Sequence, residues 1–161
     1  MAVIIRPMEY KDLDRIREVA RDCWHDAYEG IIPLPAQEMY LSQAYNDEML
    51  MRRISSHTSK VAVVDGKVVG FSDLGPIDDK RSCKMSAMYL LPEYQSRGIG
   101  KQLFDETLME EPNAKKIRVY IEEKNTRGQK FYEAQGFEEK EKLQGEFGGY
   151  QIPMLIMEKE M

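Results

Sequence analysis

The sequence predicts a single domain of mixed α and β structure over residues 1–161, and three observations carry that prediction. Apolar residues recur at helical spacing through most of the first third of the chain. Two β-branched runs then flank Asp65-Gly66, a dipeptide suited to the left-handed dihedrals of a two-residue hairpin turn. From there to the end, strand-like runs alternate with helical ones and are punctuated by Pro92, Gly98, Asn125 and Gly136.

The elements follow in order. Val3 to Arg6 reads as a short opening strand stopped by Pro7. From about Tyr10, Leu13, Ile16, Val19, Ala20, Cys23 and Trp24 mark one face of a helix. Gly30 to Pro35 breaks it, and a second helix is expected from about Ala36 to Ala44. A third begins near Asn46, an N-cap residue followed by the acidic first turn Asp47-Glu48. Val61 to Val64 and Val68 to Phe71 form the hairpin, and Met85 to Leu91 a strand that ends at Pro92. A helix from Gly98 to Glu111 presents Ile99, Leu103, Phe104 and Leu108 to the core. Ile117 to Glu122 is a strand, Arg127 to Gln135 a helix, and Gly136-Phe137 restarts strand. Glu139 to Leu143 and Tyr150 to Glu158 close the chain as a hairpin across a loop at Gly145 to Gly149.

Composition excludes several classes. At 42% hydrophobic and 32% charged, the chain is globular and not disordered. No apolar run approaches the roughly 20 residues that span a bilayer, and no signal peptide opens the sequence, so a cytoplasmic protein without a membrane partner is expected. A net charge of −5 argues against a nucleic-acid partner and tolerates a cationic one. Cys23 and Cys83 read as buried small hydrophobes. His25 and His57 lie far apart without cysteine partners, so no metal site is expected.

The segment from Met88 to Lys101 carries the most chemistry. A strand ends at proline, a short loop follows, and Gly98 and Gly100 open a helix whose first N–H groups point at whatever lies before them. Glycines let backbone approach an anion, and Arg97 and Lys101 add charge, which suits a diphosphate. A Walker loop would need Ser or Thr where Gln102 stands, and a dinucleotide fingerprint would need a third glycine where Leu103 stands.

Gln95, Gly98 and Gly100, following a strand that ends in proline, resemble the signature of the GNAT superfamily of N-acetyltransferases. The likeness extends to Ile4-Ile5-Arg6-Pro7 as opening strand and to Asn125, Phe131-Tyr132 and Gly136-Phe137 as second half-motif. It implies a central, mostly antiparallel, splayed sheet of six to seven strands flanked by four to five helices. It implies acetyl-CoA as co-substrate, without a metal, and transfer of acetyl to a primary amine by direct attack in a ternary complex. The implied coenzyme contacts are Met88, Tyr89 and Leu90 through main chain, the loop Gln95-Ser96-Arg97-Gly98-Ile99-Gly100-Lys101, Asn125 and Tyr132.

By the same resemblance Tyr132 acts as acid toward the departing thiolate. A free tyrosine has a pKa near 10 and a thiol near 8.5, so full proton transfer is uphill by roughly 2 kcal/mol, and a hydrogen bond that strengthens as charge builds on sulfur describes the role better. Of the adjacent aromatics, Phe131 is expected to face the core. The attacking amine must lose a proton, because at pKa near 10.4 it is about 99.9% protonated at pH 7. Many relatives use a glutamate on the strand before the loop, but the aligned residue here is Lys84; a second location aligns with Tyr120. Glu122 lies two residues further on the same strand face, as the end of a water chain or as a solvated surface charge.

The acceptor is selected in this family by the first helices and their loop, where Trp24, Tyr28 and Glu29 are candidate contacts. Trp24 also falls on the apolar helical face and equally suits the core. Trp24 to Pro33 is similar to a stretch in small polyamine-type acetyltransferases and in many uncharacterised members. A small amine or polyamine, a peptide amino terminus and a lysine side chain all stay open as acceptors, and a non-catalytic acyl-CoA-binding module is the alternative to an enzyme. A homodimer through the closing hairpin is open as well.

Overall fold

Backbone pairing begins with β1 (Val3–Pro7) against β2 (Thr58–Val64) in the computed structural model, which describes residues 2–161. β2 turns through Asp65 and Gly66, with φ of 51° and 79°, into β3 (Lys67–Leu74). Both φ values are left-handed, as the dipeptide requires. β4 (Ser82–Leu90), β5 (Lys116–Glu122), β6 (Glu138–Phe147) and β7 (Tyr150–Glu160) complete one seven-stranded sheet in the order β1-β2-β3-β4-β5-β7-β6. Every neighbouring pair is antiparallel except β4 and β5. The helices are α1 (Leu13–Tyr28), α2 (Leu34–Ala44), α3 (Asp47–Ser56), α4 (Ile99–Met109) and α5 (Thr126–Ala134). Strand count, helix count and the antiparallel character match the architecture the resemblance implied.

Local chemistry explains the boundaries. Asn46 caps α3 by accepting a hydrogen bond from the Met49 N–H at 2.9 Å. Pro35 sits in the first turn of α2, where a missing N–H costs nothing, so the helix starts at Leu34 and not at Ala36. β2 and β4 begin three residues earlier than their apolar runs, since ladder pairing also recruits the polar Thr58, Ser59 and Ser82. β6 runs through Gly145 to a two-residue turn at Gly148-Gly149, so the expected five-residue loop is mostly strand.

The tip of that hairpin touches α2. Gly148 has φ of 57°, and a Cβ there would overlap the Ala36 carbonyl, whereas Gly149 has φ of 82° and open space around it. Gly148→Ala is therefore expected to lose more stability in urea unfolding than Gly149→Ala, which carries only backbone strain of about 1–2 kcal/mol. Equal losses would show that the tip does not dock.

Two apolar clusters form the interior. One gathers Leu13, Ile16, Val19, Trp24 and Leu50 with Val61, Val69 and Phe71; the other gathers Phe104 with Ile117, Val119, Ile121, Phe137, Leu155 and Met157. α4 joins them, because Ile99 and Leu103 belong to the first and Phe104 to the second. Cys23 and Cys83 are buried free thiols, as their isolation suggested.

The feature that creates the site lies between β4 and β5. Their parallel ladder consists of Ser82, Cys83 and Lys84 against Lys116, Ile117 and Arg118, and then stops. At that level β4 carries a bulge: Asp73 faces Ala87 and Leu74 faces Met85, leaving Ser86 as the extra residue. A bulge bends its strand. Beyond it the last residues of β4 leave β5, which stays paired with β7 as far as Glu122 opposite Met154. Among the described residues no helix is long and apolar enough to cross a membrane.

Candidate active site

The gap between the diverging strands opens into a cleft of about 560 Å³. Met88, Tyr89 and Leu90 form one wall, Tyr120, Ile121 and Glu122 another, and Phe131 and Tyr132 of α5 a third. The loop before α4 closes one end with Gln95, Ser96, Gly98, Gly100 and Lys101.

That loop is built to expose N–H groups. A 3-10 turn at Pro92–Tyr94 leads to Gln95, whose Nε2 donates to the Leu90 carbonyl at 3.0 Å and ties the loop to the strand end. Ser96 and Gly98 both adopt left-handed φ, 64° and 82°, on either side of Arg97. Such reversals turn successive amides toward one concavity, and the first turn of α4 adds its own unpaired N–H groups and dipole. Gly98 is required by its φ, since a Cβ there would meet nothing within 4 Å. Gly100 instead lets α4 lie against Phe131, whose Cε1 would stand 3.4 Å from an added Cβ. Ile99 is buried and contributes its main chain, Arg97 lies over the Tyr94 ring at 5.8 Å, and Lys101 pairs with Asp105 at 2.6 Å.

Asn125 caps α5 by accepting from the Gly128 N–H at 3.0 Å, and its Nδ2 donates to Glu122 at 3.3 Å. Glu122 is only 6% exposed, so it is not a solvated surface charge. Its other oxygen accepts from the Tyr28 hydroxyl at 2.8 Å. Burial raises the Glu122 pKa above the usual carboxylate range, against the opposing pull of the bonds from Tyr28 and Asn125. Gln129 adds a clamp, donating to the carbonyls of Glu122 at 2.9 Å and Glu123 at 2.8 Å.

Tyr132 packs its ring against Phe137 at 5.2 Å and Phe131 at 5.3 Å between centroids. Burial, with a smaller contribution from the Glu122 charge, lifts its hydroxyl pKa far above that of a free tyrosine. The expected division between the two aromatics is not found. Phe131 and Tyr132 are both half-buried and both line the cleft, because α5 lies along its mouth with no fully buried residue.

Tyr120 lines the cleft but is 37% exposed, with the Lys84 ammonium 4.6 Å from its ring centre. Its i+2 neighbour Glu122 is buried because only there does the α1 end, through Tyr28, reach over the strand. Trp24 is 1% exposed and lines neither cleft; its Nε1 donates to the Tyr89 hydroxyl at 2.9 Å, and Tyr40 stacks on it at 4.5 Å. Glu29 is exposed on a second cleft of about 570 Å³, with His25, Gln37, Leu34 and Tyr150. The wall also includes Cys23 and Asp26 from the end of α1 and Arg127 and Lys130 from α5. Only the fold brings those segments together.

The donor set fits a nucleotide diphosphate joined to a thioester-bearing arm. One cleft is lined by the amide loop, by the apolar edge of β4, by a buried carboxylate and by a tyrosine. Among the described residues no cluster of metal-ligating side chains is present.

Comparison with known proteins agrees. The sequence profile of the Acetyltransferase (GNAT) domain matches residues 55–139, more than half of the chain. Spermidine N(1)-acetyltransferase of Thermoplasma acidophilum is 31% identical over 145 residues, covering 85% of this chain and 89% of that protein. The crystal structure of PaiA N-acetyltransferase from Thermoplasma acidophilum in complex with coenzyme A superposes with a TM-score of 0.87 at 29% identity over the whole of both chains. A GCN5-related N-acetyltransferase from Rhodopseudomonas palustris shares the fold with a TM-score of 0.82 at 21% identity, over 100% of this chain and 97% of the other.

Fold and site together define an acyltransferase that works with acetyl-CoA. The chain belongs to the GNAT family of acetyltransferases, and its similarity to the Thermoplasma spermidine enzyme extends over both of that family's motif regions.

Proposed function

We propose that this protein transfers acetyl from acetyl-CoA to a primary amine of a small aliphatic polyamine, by direct attack within a ternary complex. The observation that carries the mechanism is Glu122: buried, raised in pKa, and held at both oxygens within the cleft that Tyr132 also lines. The coenzyme supplies an activated thioester. The main-chain amides from Ser96 to Lys101 hold its phosphates, and the free edge of β4 at Met88 to Leu90 aligns its arm.

Only about one amine in a few thousand is neutral at pH 7, so a base must take the proton as attack proceeds. A carboxylate whose pKa is lifted toward neutrality is better matched to that task than an ordinary one. Glu122 accepts the proton directly or through one water, while Tyr28 and Asn125 keep its oxygens in place. At the other side of the reacting carbon, Tyr132 stays protonated at every working pH and donates a hydrogen bond to the leaving sulfur. Its raised pKa makes complete proton transfer still more uphill than for free tyrosine.

The polyamine reading draws on the 31% identical spermidine enzyme and on charge: Asp22, Asp26 and Glu29 crowd the carboxyl end of α1, where the helix dipole also favours cations. Thiol release from acetyl-CoA with a panel of polyamines, monoamines, lysine peptides and peptides with free amino termini tests it. Spermidine or spermine is expected to give the highest kcat/KM. A peptide with a free amino terminus outperforming every polyamine would replace the acceptor, and no turnover with any amine would remove the reaction.

A further inference from the structure

We propose that the Asp26–Arg127 ion pair is an exchangeable strap across the cleft. The coenzyme's phosphates draw Arg127 away, and the carboxylate so released takes a second ammonium of the acceptor. The inference rests on the amine-transfer reading and extends it to how the two substrates are coupled.

The geometry supports it at each point. Arg127 Nη2 stands 2.9 Å from Asp26 Oδ2, joining positions 101 residues apart in sequence, one in the last turn of α1 and one in the first turn of α5. Both residues line the cleft that contains Glu122, Asn125 and the amide loop. The pair therefore ties together two walls between which the coenzyme arm must pass.

The strap is weak enough to exchange. Its side chains are 63% and 39% exposed, and such a pair contributes little net stability. A phosphate offers a guanidinium more charge and a bidentate geometry. Lys130, one turn later on α5, lines the same cleft and adds to the pull on a polyanion.

Asp26 is placed to serve once released. It lies in the last turn of α1 and lines the same cleft as Tyr28 and the Glu122 carboxylate that the Tyr28 hydroxyl holds. The negative end of the α1 dipole reinforces a cation site there. An acceptor with two or more amines would present one to Glu122 and another to Asp26. A monoamine would use Glu122 alone.

Calorimetry with CoA and initial rates with spermidine and propylamine test the exchange on Asp26→Asn, Arg127→Ala and the double variant. Asp26→Asn frees Arg127 and is expected to tighten CoA by up to about fivefold while raising the spermidine KM by about tenfold and sparing that of propylamine. Arg127→Ala is expected to weaken CoA by about tenfold and, at saturating acetyl-CoA, to leave the spermidine KM within about a factor of two. In the Arg127→Ala background, Asp26→Asn should no longer alter CoA affinity. CoA binding that is unchanged or weaker in Asp26→Asn, or a KM increase shared equally by both amines, would overturn the proposal. Absence of turnover in the unaltered protein would instead defeat the amine reading, while the CoA titrations still report on the strap.

Discussion

Glu122→Gln is expected to lower kcat by about 10²- to 10⁴-fold with spermidine while leaving CoA affinity within about a factor of two, because general-base help is worth that range and the residue is on β5, outside the loop before α4. The pH profile carries the sharper signature. Glu122 must be ionised to accept a proton, so its raised pKa sets an acidic limb in kcat that lies above the ordinary 4.5 of a glutamate. The variant should lose that limb. Stability should move the other way. A carboxyl whose folded pKa exceeds its unfolded one binds extra protons when folded, so the native state is destabilised as pH rises from 4.5 through the raised value. Glu122→Gln removes this penalty at pH 7 to 8 and should unfold at the same temperature or higher, with no such gain below pH 4.5. A variant that keeps the acidic limb would transfer the base role elsewhere, with Tyr120 the next residue on that face.

Tyr132→Phe is expected to reduce kcat by about 10²- to 10³-fold, the range for losing one hydrogen-bond donor to developing charge. Its ring contacts with Phe104, Phe131 and Phe137 persist in phenylalanine, so stability and CoA affinity should change little. Burial holds the hydroxyl in its protonated form well beyond pH 10, so no alkaline limb in kcat should be traceable to it. Rates assayed with thioesters of lower leaving-group pKa should depend less on Tyr132, since the departing sulfur then needs less stabilisation. An unaltered kcat in the variant would take Tyr132 out of the mechanism and leave the α4 dipole and strand amides to support the leaving group.

Much of the fold was legible because its signals are local. Asp65-Gly66 fixes a turn through its own dihedrals, Asn46 caps α3 through its own side chain, and the apolar stripe from Leu13 to Trp24 is the face that is buried. The amide loop was legible for the same reason, since Gln95, Gly98 and Gly100 act within a few residues of one another. Its glycines nevertheless serve different ends from those expected: one satisfies a positive φ, the other makes room for Phe131.

The proposed catalytic half was less legible. Glu122 reads in sequence either as the end of a water chain or as a solvated surface charge, and Tyr28 as a candidate acceptor contact; their hydrogen bond joins residues 94 positions apart. Trp24 could have faced either way, and only the packing of Tyr40, Tyr28 and Phe147 around it shows that it supports Tyr89 from within the core. The β4 bulge at Ser86 carries no sequence signal of its own, because it arises from the mismatch between one strand's register and its neighbour's.

The sequence by itself determined the elements, the glycine-bearing loop before α4 and the family, since each depends on dihedral preference, periodicity or spacing within a short window. Tertiary structure alone decided that β4 and β5 part after Lys84, that Glu122 is buried with a raised pKa, and that Asp26 meets Arg127 across the opening. Desolvation and charge pairing depend on what the rest of the chain places nearby, and no local pattern encodes that.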